Sequence, residues 1–302
     1  MTSIMRSASG EVRLAADVAI AAQLACLIEA SAPKPGNVSP GRPFADLSYE
    51  DFLASAAAIG EPMAGAGTRP LGATVRLAVE ATARWTRSNS NLGLVLLLVP
   101  LARAALAESR DTDLRGALRR VLQATTVEDA RDVYAAIRRA APGGLGRVAA
   151  QDVADEPTKT LVEVMRLAAG WDGIAREYAT AFDCTFLTGA PALEAARRDG
   201  LSWDDAVVET FLTLLATVPD THVARRGGAA LAADVSRQAR VALLAGGVRS
   251  AAGRRAIDDM DRGLRGAGHH ANPGTTADVT AAAIFVVLLA GGWHGGRDAA
   301  SR

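Results

Sequence analysis

The stretch Leu92–Ala105 reads L-G-L-V-L-L-L-V-P-L-A-R-A-A and is one of the two longest apolar runs in the chain. Leucine and alanine favour a helix, and a helix that is apolar on every side lies in a protein core. The other run, Ala281–Trp293, is similar in length. Both fall short of the about 18 to 20 residues that a membrane span needs. They therefore predict buried core helices and no membrane partner.

Helix-favouring sequence continues on both sides of this run. The chain contains 65 alanines, and it lacks the alternation of strand and helix segments that an α/β fold requires. Ser48 with Asp51, and Thr126 with the acids that follow it, predict helix N-termini. The sequence predicts a single all-α domain over residues 1–302, with an ordered core over about 11–291 and a loose tail over 292–302. The predicted helices cover 11–31, 52–59, 73–87, 91–108, 112–123, 127–140, 157–169, 171–182, 191–199, 203–217, 229–245, 250–266 and 275–290.

The charges balance, because 33 basic residues face 33 acidic ones. General nucleic-acid binders carry a basic excess, and disordered chains combine low hydrophobicity with high net charge, so both classes are disfavoured. Cys26 and Cys184 form neither a disulfide framework nor a zinc pattern. Asp17 interrupts any signal-peptide core near the N-terminus. We therefore expect a cytoplasmic protein with small-molecule partners, and a homodimer is left open.

The distribution of rare residues is more informative than the net charge. Of the 33 basic residues, 31 are arginine and two are lysine, Lys34 and Lys159. The four asparagines are Asn37, Asn89, Asn91 and Asn272. Lys34 and all four asparagines fall in polar segments that interrupt the alanine-rich helices, which ranks these segments as candidate sites.

The first polar segment reads Glu29-Ala-Ser-Ala-Pro-Lys34-Pro-Gly36-Asn37. A lysine between two prolines lies on a stiff loop, and the following glycine lets a backbone amide approach a ligand closely. The ammonium group of Lys34 is a compact charge that suits phosphate. An ordinary turn with a solvated lysine explains the same residues, so both interpretations stay open.

The second polar segment reads Arg87-Ser88-Asn89-Ser90-Asn91-Leu92-Gly93 and leads into the apolar run. Serine and asparagine side chains and free backbone N–H groups at a helix N-terminus can bind an anion or a ribose. N-capping alone needs one such residue, and it remains the alternative explanation.

The third polar segment reads Pro219-Asp220-Thr221-His222-Val-Ala-Arg225-Arg226-Gly227-Gly228. The carboxylate of Asp220 suits Mg²⁺ or the orientation of a hydroxyl, and the two arginines suit phosphate. The two glycines before the next helix suit a phosphate cradle. A salt-bridged turn between helices explains the segment equally well.

The fourth polar segment reads His269-His270-Ala-Asn272-Pro-Gly-Thr275-Thr276-Ala-Asp278. It leads into a predicted helix, where its threonines and aspartate are good capping residues. The adjacent histidines lack the i, i+4 spacing of helical metal ligands, which argues against zinc.

The four segments follow one another in an order that a known family shares. An acid followed by K-P-G resembles Glu29–Asn37, and an acidic position with a later serine resembles Asp46 and Ser55. The pattern D-T-n-[LV]-x-x-R-G-G is similar to Asp220–Gly228, and [NS]-P-G-x-x-A-D is similar to Asn272–Asp278. Over about residues 15–290, the chain resembles the triphosphoribosyl-dephospho-CoA synthase family, the CitG/MdcB-like proteins.

The resemblance implies an all-α, ATP-using transferase that displaces adenine from ATP with a ribose hydroxyl of dephospho-CoA. This chemistry needs a stabilised oxocarbenium-like transition state, a deprotonated acceptor and a neutralised triphosphate. Mg²⁺ is therefore the expected cofactor, and ATP with dephospho-CoA or a related cofactor precursor are the expected substrates. The expected catalytic residues are Asp220, Lys34 and Glu29, and the expected metal ligands are Asp220, Asp278 and Asp46. The expected nucleotide- or phosphate-binding residues are Lys34, Gly36, Asn37, Ser88, Asn89, Asn91, Arg225, Arg226, Gly227, Gly228, Asn272 and Thr275.

The chain also departs from the decarboxylase-linked members of that family. They carry T-H-K-G where this chain has Ser90–Gly93, and a histidine after the K-P-G loop that is missing here. In Asn37, Ser88–Asn91 and Pro142–Gly146 the chain looks more like a divergent branch that is associated with tetrahydromethanopterin- and methylofuran-linked one-carbon metabolism. A related pentosyl or phosphoribosyl transfer, or another ATP-linked step towards such a cofactor, is therefore one alternative.

A catalytically inert helical scaffold is the second alternative. It predicts that Lys34, Asp220 and Asp278 are dispersed in the fold, whereas an enzyme predicts that they converge on one pocket.

Overall fold

Helices make up the regular structure of the chain, whose computed structural model describes residues 13–107, 113–266 and 269–294. Within these ranges no strand forms, and the one extended pairing is an isolated bridge between Ser39 and Arg42. The predicted all-α class is therefore confirmed. The α-helices are α1 Ala15–Ser31, α2 Tyr49–Ala58, α3 Gly60–Ala64, α4 Leu71–Thr82, α5 Leu92–Ala105, α6 Leu114–Gln123, α7 Val127–Ala140, α8 Leu161–Ala168, α9 Gly173–Thr180, α10 Ala190–Arg198, α11 Trp203–Thr217, α12 Thr221–Gly227, α13 Ala229–Leu244, α14 Ala251–Leu264 and α15 Gly274–Leu289.

The two apolar runs form the centre of the fold. Helix α15 packs against α1, α5 and α11, and nearly every residue of α5 is buried. Pro100 lies inside α5 and has no N–H to donate to the carbonyl of Leu96. The buried hydroxyl of Tyr178 donates to that carbonyl at 2.7 Å instead, so the proline leaves no unpaired acceptor. Among the described helices none is both long and apolar enough to cross a bilayer.

Capping pairs set several helix starts. The Asp51 carboxylate accepts from the backbone N–H of Ser48 at 2.8 Å, and Thr126 and Asp129 form the same arrangement before α7. Both starts were predicted from these pairs. The start at Pro157 is wrong, because Thr160 and Glu163 form a capping box that begins α8 at Leu161.

Two segments that lie between the predicted helices are themselves helical in the structure. A π-helical segment, Cys184–Gly189, joins α9 to α10, and the buried carboxylate of Glu177 accepts from the backbone N–H groups of Cys184 and Thr185. The third polar segment was expected to be a loop, but Thr221–Gly227 forms the short helix α12. Its N-cap is Asp220, whose side chain accepts from the N–H of Val223.

Parts of four predicted elements lie outside the described residues: positions 11–12 of the first helix, position 108 of the helix over 91–108, position 112 of the helix over 112–123, and positions 295–302 of the tail. The first tail residues, Gly292–His294, form a 3₁₀ turn. There, the ring of Trp293 stacks on Trp203 with centroids 5.7 Å apart.

Candidate active site

One cavity of about 670 Å³ collects residues from all four polar segments. The C-terminal end of α1, the N-terminal ends of α5, α9 and α15, and the helix α12 surround it. Its volume is that of a small-molecule site, and N-terminal helix ends favour anions. The predicted site residues that line it are Glu29, Asn37, Asp46, Ser88, Asn89, Asn91, Arg225, Arg226, Asn272, Thr275 and Asp278.

Lys34 lies behind the cavity wall and not in it. Its side chain is 1% exposed, and its ammonium nitrogen lies 3.0 Å from Oε1 of Glu29. The same nitrogen donates to the carbonyl of Ala32 at 3.1 Å and to the carbonyl of Glu29. An ammonium group has three N–H donors, and these contacts use all three. In this arrangement Lys34 holds the Glu29 carboxylate in place, and its expected phosphate contact stays a prediction.

The predicted glycine cradles are also absent from the cavity wall. The N–H of Gly36 donates to Oδ1 of Asp261 at 2.8 Å, and the N–H of Gly228 donates to the carbonyl of Ala224 at 3.0 Å. Gly227 ends α12, and a Cβ there would strike Leu231. The amides of Gly36 and Gly228 are already bonded within the protein, so both glycines shape turns here, and their phosphate contact stays a prediction.

Asp220 joins two helices and does not face the large cavity. Its Oδ1 accepts from the N–H of Val223 at 3.0 Å, which caps α12. Its Oδ2 accepts from the N–H and the hydroxyl of Thr276 at 2.7 and 2.8 Å, in the first turn of α15. Asp220 lines a separate cavity of only about 40 Å³. The structure thus gives Asp220 a structural contribution, and its expected catalytic and metal-binding roles stay predictions.

Asp278 is the carboxylate that the fold leaves without a partner. It lines the large cavity and makes no hydrogen bond or ion pair with any residue in the described ranges. Burial raises the pKa of Asp278 well above its usual value, and the negative charges of Glu29, Asp220 and Asp172 raise it further. A Cβ at Gly93 would collide with this carboxylate, so glycine at the start of α5 lets Asp278 lie there.

The three predicted metal ligands do not form one cluster. Asp220 is used in capping, Asp46 is exposed on a loop, and Asp278 faces the cavity. Across residues 13–107, 113–266 and 269–294, no three ligating side chains are close enough to hold a metal by themselves.

Arg225 and Arg226 are two of the arginines that line the cavity. Arg225 lies 3.3 Å from Oδ2 of Asp172, and Oδ1 of Asp172 caps α9 by accepting from the N–H of Ala175. The Nε of Arg225 is buried without a hydrogen-bond partner. A Cβ at Gly144 would lie 3.3 Å from Cγ of Arg225, so the Pro142–Gly146 loop passes directly beside the two arginines.

The side chains of the second polar segment are held by hydrogen bonds within the segment and to other parts of the chain. Asn89 accepts from the N–H of Leu92 at 3.1 Å and caps α5, and Asn91 donates to the hydroxyl of Thr82 at 2.8 Å. Ser88 donates to the carbonyl of Asp46 at 2.8 Å. The segment therefore shapes the cavity wall, and its N-capping explanation is confirmed for Asn89.

Three cavity residues were missed as site residues by sequence reasoning: Asp172, His222 and Gly93. Asp172 stands at a predicted helix start, which hid it among ordinary caps. The Nδ1 atom of His222 lies 3.1 Å from the carbonyl oxygen of Asn272, and the Oδ1 of Asn272 is buried without a partner. Burial, together with the positive charges of the nearby Arg225 and Arg226, lowers the pKa of His222 to about 4.

Comparison with known proteins identifies relatives of this chain. A protein of Pseudomonas paraeruginosa (strain DSM 24068 / PA7), named probable 2-(5''-triphosphoribosyl)-3'-dephosphocoenzyme-A synthase, is 34% identical over 136 residues. That match covers 44% of this chain and 46% of the relative. A Pseudomonas putida protein of the same name is 31% identical over 142 residues, which are 47% of this chain and 50% of the relative. The chain thus spans about half the length of the curated relatives it matches.

A solved structure and a family model extend the comparison. The crystal structure of a candidate triphosphoribosyl-dephospho-CoA synthase from Archaeoglobus fulgidus matches with a TM-score of 0.61 and 30% identity, and covers 79% of this chain and 99% of that one. None of these names mentions a one-carbon cofactor, so that alternative gains no support. A model described as CitG, ATP:dephospho-CoA triphosphoribosyl transferase, matches residues 15–296. Because this match covers most of the sequence, the chain belongs to the CitG family.

Proposed function

We propose that this protein transfers a triphosphoribosyl group from ATP to a ribose hydroxyl of dephospho-CoA and releases adenine. The observation that carries the proposal is the convergence of polar residues from all four segments on one cavity of about 670 Å³. The family match supports the same reaction. An inert scaffold gives no reason for such convergence. Of the three residues that we expected to converge, Asp278 lines the cavity, whereas Lys34 and Asp220 lie behind its wall.

The charges of the cavity suit the triphosphate and the pentose of ATP, from which the group is transferred. Arg225 and Arg226 lie together on one face of α12, and guanidinium groups bind phosphate oxygens with two parallel hydrogen bonds. Glu29, Asp172 and Asp278 provide negative charge in the same cavity. We assign the arginines to the triphosphate and the carboxylates of Glu29 and Asp172 to the pentose.

The reaction forms one bond and breaks one bond at the anomeric carbon of the ATP ribose. The acceptor oxygen bonds to that carbon, the bond to adenine breaks, and the hydroxyl proton leaves through a base and ends on the released adenine. Positive charge develops on the pentose in the transition state, and fixed carboxylates stabilise it. Glu29 is placed to accept the proton, because Lys34 fixes one of its oxygens and the side chain lines the cavity.

The residues present also fit one Mg²⁺ ion bound largely by the substrate. Mg²⁺ commonly uses one or two carboxylates together with substrate phosphates and water, so it needs no cluster of three protein ligands. The unpartnered Asp278 carboxylate, beside the negative charge of Glu29, is the group that would hold it. When bound, the ion would neutralise phosphate charge.

The missing basic residue of the T-H-K-G motif has nearby substitutes. Arg87 lines the cavity from the same segment, and Arg225 and Arg226 line it from α12. The departure from the decarboxylase-linked pattern therefore does not remove positive charge from the site.

Release of adenine tests the proposal. The protein is incubated with Mg-ATP with and without dephospho-CoA, adenine is measured by chromatography, and the product is identified by mass. We expect adenine only when dephospho-CoA is present, with one triphosphoribosyl group added to it. Glu29→Gln should lower the rate about 100-fold or more, while Glu61→Gln, at an exposed position, should not. Absence of dephospho-CoA-dependent adenine would refute the proposal.

A further inference from the structure

The imidazole of His222 is held in one tautomer by its backbone contact. Its Nδ1 lies 3.1 Å from the carbonyl oxygen of Asn272, and a carbonyl can only accept a hydrogen bond. Nδ1 therefore carries the proton, and Nε2 of the neutral ring has a free lone pair. A Cβ at Gly274 would lie 2.7 Å from Nδ1, so glycine at the start of α15 lets the ring reach the carbonyl.

The opposite edge of the ring is available to the cavity. His222 lines the cavity, and its Nε2 makes no hydrogen bond within the part of the chain that the structure describes. His222, Arg225 and Arg226 stand at i, i+3 and i+4 on α12, so they share one helix face. A lone pair is thus placed beside the two arginines that we assign to the triphosphate.

A lone pair at this position discriminates between ligand groups. It repels the oxygens of a phosphate, which have no hydrogen to give, and it accepts from a hydroxyl or an amine. The positive charges of the two arginines also disfavour protonation of the His222 ring, so Nε2 stays a hydrogen-bond acceptor. The ligand group beside His222 must therefore be a hydrogen-bond donor that lies next to a bound phosphate. In a nucleoside triphosphate, the ribose hydroxyls meet that description more closely than the base amine does.

We propose that Nε2 of His222 accepts a hydrogen bond from a ribose hydroxyl of ATP and so selects a ribonucleotide donor. The assignment of ATP rests on the proposed function, whereas the acceptor role of Nε2 rests on the ring geometry alone.

Binding of ATP analogues, measured by calorimetry without turnover, tests this inference. The probes are ATP, its 2'-deoxy and 3'-deoxy forms, and the purine riboside triphosphate that lacks the base amine. We expect the wild-type protein to bind one of the deoxy forms about tenfold more weakly than ATP, the effect of one neutral hydrogen bond. His222→Leu should lose that discrimination.

Two conservative variants separate the acceptor from the fold. His222→Gln can place an amide oxygen near the position of Nε2 and should retain discrimination. His222→Asn can still donate to the Asn272 carbonyl but has no atom at the Nε2 position, so it should fold and lose discrimination. Unchanged discrimination in His222→Asn and His222→Leu would overturn the proposal. Loss of discrimination only against the amine-free analogue would overturn the assignment to ribose.

The tautomer of His222 can be identified directly by NMR. Two-bond ¹H–¹⁵N correlation spectra, with the His222 signals identified by their loss in His222→Asn, should show the proton on Nδ1 at neutral pH. A proton on Nε2 would overturn the inference. Because neither measurement needs turnover, a protein that binds ATP selectively but releases no adenine would refute the proposed function and leave this inference standing.

Discussion

At the scale of single residues, the two lysines have opposite environments. Lys34 is buried and bonded entirely to the end of α1, whereas Lys159 is exposed before α8. The rarity of lysine marked Lys34 as important but did not reveal its role. The ammonium group of Lys34 bonds to the end of α1 because it is buried, and a buried ammonium group needs hydrogen-bond acceptors within the protein for all its N–H groups.

Lys34→Met is expected to destabilise the protein and to stop turnover. Removing one member of a buried ion pair leaves the other charge uncompensated, which costs about 3 to 5 kcal/mol. Lys159→Met is the matched control and should change the free energy of unfolding by less than about 0.5 kcal/mol. Urea unfolding measures both. Equal stability of the two variants would contradict the buried pair.

Asp278→Asn is expected to stabilise the metal-free protein while abolishing activity. Because folding raises the pKa of Asp278, its ionisation opposes folding. That penalty is absent below the unfolded-state pKa of about 3.9 and complete above the raised folded-state pKa. The gain on substitution, about 1 kcal/mol at neutral pH, should fade as the pH falls.

Denaturant unfolding in EDTA at several pH values measures this dependence. Asp258→Asn, at an exposed position on α14, is the control and should show no such trend. Added Mg²⁺ should stabilise the wild-type protein and have less effect on Asp278→Asn. A gain that grows towards low pH would contradict the stated sign.

At the scale of elements, helix ends build the site. The N-terminal ends of α5, α9 and α15 reach one cavity, and Asp220 fastens α12 to α15 across 56 residues of sequence. Most helix positions could be predicted from alanine-rich periodicity and capping pairs, since these signals are local. Helix α12 was missed because its seven residues lie in a polar segment, and its stability comes from Asp220 and from packing against α13.

Asp220→Ala should cost more stability than loss of an ordinary cap. Asp220 makes one capping bond to α12 and two bonds to Thr276, so we expect a loss of about 3 kcal/mol. Asp113→Ala removes a single N-cap bond, to Gly116, and should cost about 1 kcal/mol. Thermal and urea unfolding compare the two. If Asp220→Ala is as stable as Asp113→Ala but inactive, Asp220 has a chemical role after all.

At the scale of the whole molecule, zero net charge conceals a concentration of both charge signs around the cavity. Arginines of α12 line it together with the carboxylates of Glu29, Asp172 and Asp278. A low-dielectric cavity strengthens such local fields, whereas surface charges largely cancel.

ATP in EDTA should protect the protein from heat, and the protection should depend on the arginines. At 100 times the dissociation constant, the stabilisation is about 2.7 kcal/mol. Arg225→Met should remove most of it, and Arg255→Met, at an exposed position on α14, should not. Differential scanning fluorimetry with ATP and with adenosine measures the difference. Equal protection by adenosine would show that the triphosphate is not bound by these residues.

The sequence by itself determined the helical class, the apolar helices α5 and α15 and the four segments that carry the site, because these follow from local propensity, periodicity and composition. It also indicated the family. Only the tertiary structure decided which polar residues face the cavity: Lys34, Gly36 and Asp220 turn their polar groups inward, while Asp172, His222 and Gly93 join the wall. Whether a donor or acceptor is free depends on neighbours that lie tens or hundreds of residues away in the chain. Local sequence therefore located the site, and long-range hydrogen bonding assigned its residues.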